Sequence, residues 1–467
     1  MLEVKDKKVA VIGLSRTGMA SARKLVEWGA EVVVSDVKTA DQLKDEMEKL
    51  SDIELEYELG GHGDKCISAD MIVVSPGVPL DIPFFHKAAE KKIPIISEIE
   101  LAYNFTEANI IAITGTNGKT TTTSLIGDIL KNAGIGEVRV AGNIGNPLVA
   151  EAADLSSNDW LVVEISSFQL ETIKDFKPDI SVYLNFTPDH LDRHKSIENY
   201  WEAKKRIFEN QNADDIAIVN GDDRDVMKAV DGFPGDIFMV SFEPDIAEQK
   251  NSCQEGVFRG ISINDGYLTI INNNMQLKVI KTQDIPLKGN HNIQNVSFAV
   301  LTSHLAGAPI DVIRRTIISF KPVEHRLEEV AVLPGGILVI DDSKATNPDA
   351  GIKAVEAFEE PLILIAGGQD RDADFSEWAD TINGRVKTLI LLGETRFKMR
   401  EEALNHGFAN INIHIAENMQ KAVQIASEDL KPGDVLLLAP ACPSWDMYTS
   451  YKVRGKEFQK NVQNLLM

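Results

Sequence analysis

Short apolar runs, many of them β-branched, alternate with amphipathic stretches along most of the chain. In the first block KKVAVIG (7–13) reads as a buried strand, TGMASARKLVEWG (17–29) as a helix closed by Gly29, and EVVVSD (31–36) as the next strand. MIVVSPGVP (71–79) is a further strand stopped by Pro76 and Gly77, and IPIIS (93–97) follows the helical pattern FFHKAAEKK (84–92). A second block opens at NIIAITG (109–115) and continues through WLVVEIS (160–166), DISVYLNF (179–186) and DIAIVNG (215–221). Residues 245–285 change character: their alternation and the turn Asn264-Asp265-Gly266 predict a small antiparallel meander. A third block follows Lys321-Pro322, with strands at GILVIDD (336–342), LILIAGG (362–368), TLILLG (388–393) and DVLLLAP (434–440). Strands separated by helical segments predict mainly parallel α/β sheets. The blocks divide the chain at 1–106, 107–321 and 322–467.

Length agrees with this division, since 467 residues correspond to about three domains at roughly 150 residues each. Such a chain buries several cores without a disulfide or metal staple. With 43% hydrophobic and 25% charged residues the composition is that of a globular protein. Lys+Arg 48 against Asp+Glu 71 gives a net charge of −23, which argues against general nucleic-acid binding. It leaves room for a small anionic ligand held by backbone amides and a lysine. Three cysteines (Cys66, Cys253, Cys442) cannot build a disulfide framework and fit a reducing cytosol. No apolar run approaches a membrane span, and the first residues enter a strand-like run with no cleavage pattern, so a cytoplasmic protein is expected.

The first strand leads into Gly13-Leu14-Ser15-Arg16-Thr17-Gly18. The spacing is that of a dinucleotide fingerprint, but Ser15 stands where the middle glycine would admit a pyrophosphate. Asp36 closes the second strand, where an acidic residue would take ribose hydroxyls. A nucleotide-type ligand and a plain tight turn both account for this loop, and classical NAD binding fits it less well than either. Ser75-Pro76-Gly77 follows another strand and could face the same crevice.

The strongest local signal is Thr114-Gly115-Thr116-Asn117-Gly118-Lys119-Thr120, a hydrophobic strand running into a glycine turn, Lys-Thr and then a helical pattern. Gly115 and Gly118 let the backbone curl so that amides face phosphate oxygens. Lys119 would neutralise β/γ charge and the Thr120 hydroxyl would ligate Mg²⁺. The match to the standard phosphate loop is incomplete, because Ile113 stands where its first glycine would be. ATP is the expected nucleotide; no Asn-Lys-x-Asp is present to read guanine. Asn292 and Asn295 share a helix face, where their amides either reach an adenine edge or cap the helix. Glu164 ends a strand where a metal-supporting carboxylate would sit, although strand-end glutamates are commonly just solvated. Asp189, His190 and Asp192 follow another strand, so Glu164 and His190 could converge on one cation beside Thr120, or His190 could simply cap a turn. Lys204, beside Lys205 and Arg206, reads locally as part of a solvated basic face.

Together with Glu164-Ile165-Ser166-Ser167-Phe168-Gln169-Leu170, Asp189-His190-Leu191-Asp192-Arg193-His194 and Gly289-Asn290-His291-Asn292, these motifs resemble the Mur ligase family over nearly the whole chain. Its members are ATP-dependent amide-forming enzymes of peptidoglycan precursor synthesis. His325-Arg326-Leu327-Glu328, Asp342-Ser343-Lys344-Ala345-Thr346-Asn347-Pro348, Gly367-Gly368-Gln369-Asp370-Arg371-Asp372 and Pro440-Ala441-Cys442-Pro443-Ser444-Trp445-Asp446 are most similar to the D-glutamate-adding branch. The resemblance implies a Rossmann-like first domain, a P-loop ATPase-like central domain with an antiparallel insertion, and a Rossmann-like third domain.

It also implies roles. Gly115, Thr116, Asn117, Gly118, Lys119, Thr120 and Thr121, with Asn292, Asn295, Arg326 and Asp342, would hold ATP across the second and third domains, which suggests hinge closure. Thr120, Glu164, His190 and a carbamylated Lys204 would serve two Mg²⁺ ions, so the resemblance reassigns Lys204 from the surface. Ser15, Arg16, Asp36, Gly77 and Asn143 would bind the uridine diphosphate of UDP-N-acetylmuramoyl-L-alanine. Lys344, Thr346, Arg371, Ser444 and Tyr451 would line the D-glutamate site. Lys119, His190 and Lys204 are the expected catalytic residues, in a monomer acting on small molecules. All these ligands are anionic, so positive groups should gather at Lys119, Arg326, Lys344 and Arg371 within an acidic protein. The rivals are a regulatory P-loop ATPase that does no synthesis and a nicotinamide-dependent oxidoreductase using the first loop.

Overall fold

A computed structural model describes residues 2–243, 258–273, 275–321 and 324–465. Cys253, Pro322 and the first part of the predicted meander lie outside these residues, as does the side chain of Asp192. Three sheets are present, and each is mainly parallel or wholly so. The first contains β1 (Lys8–Ile12), β2 (Glu31–Asp36), β3 (Glu56–Leu59), β4 (Met71–Val74) and β5 (Ile95–Ser97) in the order β3-β2-β1-β4-β5. All its pairings are parallel. Strand order reverses at β1, so the loops after β1 and β4 meet at the switch point where ligands of open α/β sheets bind.

The second sheet contains β6 (Asn109–Thr114), β7 (Val138–Gly142), β8 (Trp160–Glu164), β9 (Ile180–Tyr183), β10 (Ile216–Asn220), β11 (Asp236–Val240), β12 (Arg259–Asn264), β13 (Tyr267–Asn272) and β14 (Met275–Lys281). Its order is β14-β13-β12-β11-β10-β9-β6-β8-β7. β6 lies between β8 and β9, parallel to both, and is the reversal point of this sheet. The expected meander is found as antiparallel β12, β13 and β14. The third sheet, β15 (Glu328–Leu333), β16 (Ile337–Asp341), β17 (Leu362–Ala366), β18 (Val386–Leu391), β19 (Ile413–Ile415) and β20 (Val435–Leu438), has the order β15-β16-β20-β17-β18-β19. Only β15 runs antiparallel to its neighbour. Leu362, Leu364 and Ala366 enter one apolar cluster and Ile363 and Ile365 another, so both faces of β17 are covered.

The chain forms two compact units. The first holds the first and second sheets (Met1–Phe186, Arg193–Thr282, Val296–Ile317); the second holds the third sheet with Thr187–Asp192 and Gln283–Asn295. Within the first unit both sheets contribute to one continuous core, from Val9 and Val11 to Ala112 and Val163. The helix Glu98–Tyr103 ties them together. The Glu100 carboxylate accepts backbone N–H groups of Lys174, Asp175 and Phe176 at 2.8, 3.0 and 2.9 Å. Glu98 accepts the Val149 N–H at 2.6 Å, at the start of the short helix Leu148–Glu151.

Burial pushes the Glu98 carboxyl up to about 7, against the opposing pull of the Val149 N–H and the Arg16 charge. A carboxyl whose folded value is raised favours the native state while protonated, and that advantage is lost as pH rises from 4.5 through about 7. Glu98→Gln is therefore expected to gain stability over the parent across that window, reaching about 1–3 kcal/mol above it. Urea unfolding at several pH values measures this, and a gain independent of pH would contradict the assignment.

Candidate active site

In the first unit, β6 delivers the chain into Gly115–Gly118 and then the helix Lys119–Ala133. Gly115 (φ 149°) and Gly118 (φ 83°) hold the loop in conformations that side-chain-bearing residues rarely adopt. A Cβ at Gly115 would lie 3.0 Å from the Leu184 side chain. Lys119 Nζ donates to the carbonyls of Gly115 and Thr116 at 2.9 and 2.8 Å. Asn185, assigned to no site in the sequence although it falls within the predicted strand 179–186, lies just after β9 and braces the loop. Its Oδ1 accepts the Thr116 and Asn117 N–H groups at 3.1 and 2.8 Å, and its Nδ2 donates to the Asn117 carbonyl at 3.1 Å.

The metal-type residues of this unit do gather. The Thr120 hydroxyl donates to Glu164 at 2.8 Å, and Asn143 Nδ2 donates to the other Glu164 oxygen at 2.7 Å. Glu164 is buried, which corrects the picture of a solvated strand end. The solvated face expected locally for Lys204 is likewise overturned: it is 1% exposed. The helix Ile197–Lys205 turns it inward, where Nζ donates to the Gly115 carbonyl at 2.6 Å and lies 4.8 Å from the Tyr200 ring centroid. Tyr200 in turn pairs its hydroxyl with that of Thr116 at 3.2 Å. An oxygen pair such as Thr120 and Glu164 suits a hard cation such as Mg²⁺, whereas the ammonium of Lys204 does not ligate one.

At the first glycine loop, Ser75 Oγ donates to the Gly13 carbonyl at 2.8 Å, and a Cβ on Gly18 would stand 1.9 Å from that same oxygen. The second contact explains Gly18, and Gly13 (φ 91°) has no room for a Cβ, which would lie 2.8 Å from the Val78 side chain. Ser15 is exposed and leaves its side chain out of the cap of the following helix. The Asp36 carboxylate accepts backbone N–H groups from Leu14 and Lys38, at 2.8 and 2.9 Å, so it braces the loop. Arg16 donates to the Gly145 carbonyl at 2.5 Å, beside Asn143 in the loop after β7. Gly77 is exposed, and a Cβ there would meet nothing.

The second unit holds the remaining predicted residues. His190 (φ 55°) has Nδ1 3.3 Å from an Arg371 guanidinium nitrogen, and its neighbour Asp189 accepts from Asn347 at 3.0 Å. Arg371 stacks 4.8 Å from the Trp445 ring centroid. Asn292 and Asn295 are buried in the first turns of the helix Asn290–Leu305, and Asn295 Nδ2 donates to Asn292 Oδ1 at 3.2 Å. Arg326 lies 3.9 Å from Asp342, whose carboxyl burial pushes up to about 6 despite that cation. Lys344 Nζ lies 5.6 Å from the Tyr451 ring centroid. Its backbone N–H bonds the His325 carbonyl at 3.1 Å. Thr346 precedes Asn347, which caps the helix Pro348–Glu356, and Ser444 is buried. His325 Nδ1 is 2.7 Å from Asp341 Oδ2, a dyad for which the spacing of the chain offered no signal.

Three family profiles match in chain order: the MurD-like N-terminal domain of Mur ligases at residues 7–97, the Mur ligase middle domain at 113–303, and the Mur ligase glutamate ligase domain at 325–442. The chain belongs to the Mur ligase family. It is 43% identical to the UDP-N-acetylmuramoylalanine–D-glutamate ligase of Alkaliphilus oremlandii, over 99% of this chain and 100% of that protein. It is 41% identical to the enzyme of the same name from Clostridioides difficile, again over 99% and 100%. Among solved structures it shares its fold with a pseudomurein peptide ligase type C from Methanothermus fervidus (TM-score 0.60, 18% identity, 98% of this chain and 100% of that one). UDP-N-acetylmuramate-alanine ligase MurC from Thermotoga maritima is similar to the same degree (TM-score 0.57, 18% identity, 98% and 100%). Mur ligases generally use ATP and Mg²⁺, in keeping with the phosphate loop and its oxygen pair. Among the described residues no helix is long and apolar enough to cross a membrane.

Asn185→Ala removes the three bonds that hold the loop of this Mur ligase. At about 0.5–1.5 kcal/mol per bond, partly recovered by water, the KM for ATP is expected to rise roughly 5- to 30-fold. Steady-state kinetics with varied ATP measures it, and an unchanged KM would mean that the loop holds its shape without Asn185.

Proposed function

We propose that the protein adds D-glutamate to UDP-N-acetylmuramoyl-L-alanine through an acyl-phosphate intermediate, releasing ADP and phosphate from ATP, in a cytoplasmic step of peptidoglycan precursor synthesis. The observation that carries this reading is the whole-length similarity to D-glutamate ligases, joined to a phosphate loop whose Lys119, Thr120 and Glu164 stand together. On this reading residues 1–106 bind the uridine diphosphate through Ser15, Arg16, Asp36 and Gly77, helped by Asn143. Residues 107–321 bind ATP through Gly115–Thr121, Asn292 and Asn295, with Arg326 and Asp342 completing the nucleotide site. Residues 322–467 hold D-glutamate through Lys344, Thr346, Arg371, Ser444 and Tyr451. The enzyme acts as a monomer on small molecules.

The chemistry is carboxylate activation followed by amide formation. The L-alanyl carboxylate attacks the γ-phosphorus in line, forming an acyl phosphate and releasing ADP. Phosphate oxygens replace the loop carbonyls as partners of Lys119, whose charge then opposes the charge growing on the transferring group. Magnesium, when bound, adds further positive charge there; Thr120 and Glu164 would hold one ion, and Lys204 as a carbamate, with His190, would serve a second. Carbamylation forms a bond between the Lys204 nitrogen and the carbon of CO₂ with loss of one proton, replacing a repelling ammonium by two oxygens. The amine of D-glutamate then attacks the acyl carbon and phosphate leaves. That amine must first lose a proton; His190 would take it, and its closeness to the Arg371 that would pair with a substrate carboxylate supports the reading.

The reading separates cleanly from a regulatory ATPase and from an oxidoreductase. Phosphate release is expected only when UDP-N-acetylmuramoyl-L-alanine and D-glutamate are both supplied; equal release without them would refute it. For Lys204, native mass spectrometry in bicarbonate is expected to give a gain of one CO₂ that Lys204→Arg lacks. An identical mass spectrum for the two, after correction for the substitution, would dismiss the carbamate.

A further inference from the structure

The helix Tyr451–Leu465 carries Arg454, which is 1% exposed and one of the largest fully buried side chains among the described residues. None of its hydrogen bonds among the described residues goes to a carboxylate. Its partners are neutral oxygens. Nε donates to Ser343 Oγ at 3.0 Å and Nη2 to the Ser343 carbonyl at 2.8 Å. Nη1 donates to the carbonyls of Cys442 and Pro443 at 3.0 and 3.3 Å. Burial pushes the guanidinium down to about 10, which leaves it charged at neutral pH. Asp446 and Asp341 lie near enough to favour its charge, but neither bonds it. Enclosing a cation whose hydrogen-bond partners are all neutral is costly, and the planar fork recovers that cost only if its acceptors stay in place.

Those acceptors belong to particular segments. Ser343 immediately precedes Lys344, and Cys442 and Pro443 immediately precede Ser444. Ser343 Oγ also donates to the carbonyl of Tyr451, closing a ring through the helix that bears Arg454. A third segment is involved: a Cβ on Gly368 would stand 2.2 Å from the Pro443 carbonyl oxygen and 3.1 Å from Nη1, so the glycine lets the segment leading to Arg371 pass against both. We propose that Arg454 is the positioning residue that sets the amino-acid subsite, locking the segments that present Lys344, Ser444 and Tyr451 into one geometry. It touches no substrate. This inference rests on the functional reading above, because it takes those residues to be the D-glutamate site.

The test is steady-state kinetics of the full-length enzyme with each of the three substrates varied, alongside thermal melting. Arg454→Lys keeps the charge and loses the fork. Its KM for D-glutamate is expected to rise roughly 10- to 100-fold, with the KM values for ATP and the muramyl nucleotide within about twofold of the parent. A folded variant with unchanged KM for D-glutamate, or with all three raised alike, overturns the proposal. If that variant fails to fold, Ser343→Ala supplies the decision: it removes one acceptor and the link to Tyr451, and is expected to raise the same KM about 3- to 10-fold. An unselective or absent change there overturns the proposal. A parent enzyme whose phosphate release ignores D-glutamate overturns the functional reading itself, so the two failures are distinct.

Discussion

A single carbonyl oxygen organises the nucleotide end of this protein. The Gly115 carbonyl accepts from Lys119 at 2.9 Å and from Lys204 at 2.6 Å, so two ammonium groups from different helices converge on one neutral acceptor. Like charges this close repel, so phosphate oxygens beside Lys119, or the proposed carbamate on Lys204, would be favoured there. The oxygen can occupy this position only because Gly115 tolerates φ 149° and because Asn185 fixes the peptides that follow. The loop's own carbonyls thus take up the lysine donors that a phosphate group would also bond.

The same principle is used with opposite sign elsewhere. Asp36 and Glu100 are carboxylates whose partners are backbone N–H groups, and each fixes a loop that must be held in shape. Arg454 does the corresponding work for carbonyls in the second unit. These three charged side chains thus all brace backbone. The exposed ion pairs, such as Arg23 with Asp52, contribute little by comparison.

Much of this was legible in the chain. Strands with long β-branched runs, such as 109–114 and 362–366, were placed correctly because nothing else buries on both faces in so few residues. Four of the overlooked strands, β3, β7, β15 and β19, are sheet edges, where polar or exposed residues such as those of Glu56–Leu59 blur the pattern. The phosphate loop was legible because its chemistry is local. Lys204 was misread locally because its burial depends on the phosphate loop about ninety residues earlier, as the Gly115 bond shows. Asn185 and Arg454 carry no motif of their own; their importance lies in which backbone atoms they reach, and only folding reveals that.

The helix Glu98–Tyr103 gives the first unit a property beyond stability. Its two carboxylates pin the first sheet to the loop after Leu170 and to the helix after Pro147, and the two sheets share a core. The glycine loop at 13–18 and the phosphate loop at 115–118 are therefore parts of one compact unit. On the proposed reading, a nucleotide-linked carboxylate held at the first and a triphosphate held at the second would have given up their freedom to tumble relative to each other. The gain is one of effective concentration: a bimolecular encounter between two anions becomes a reaction within a single body.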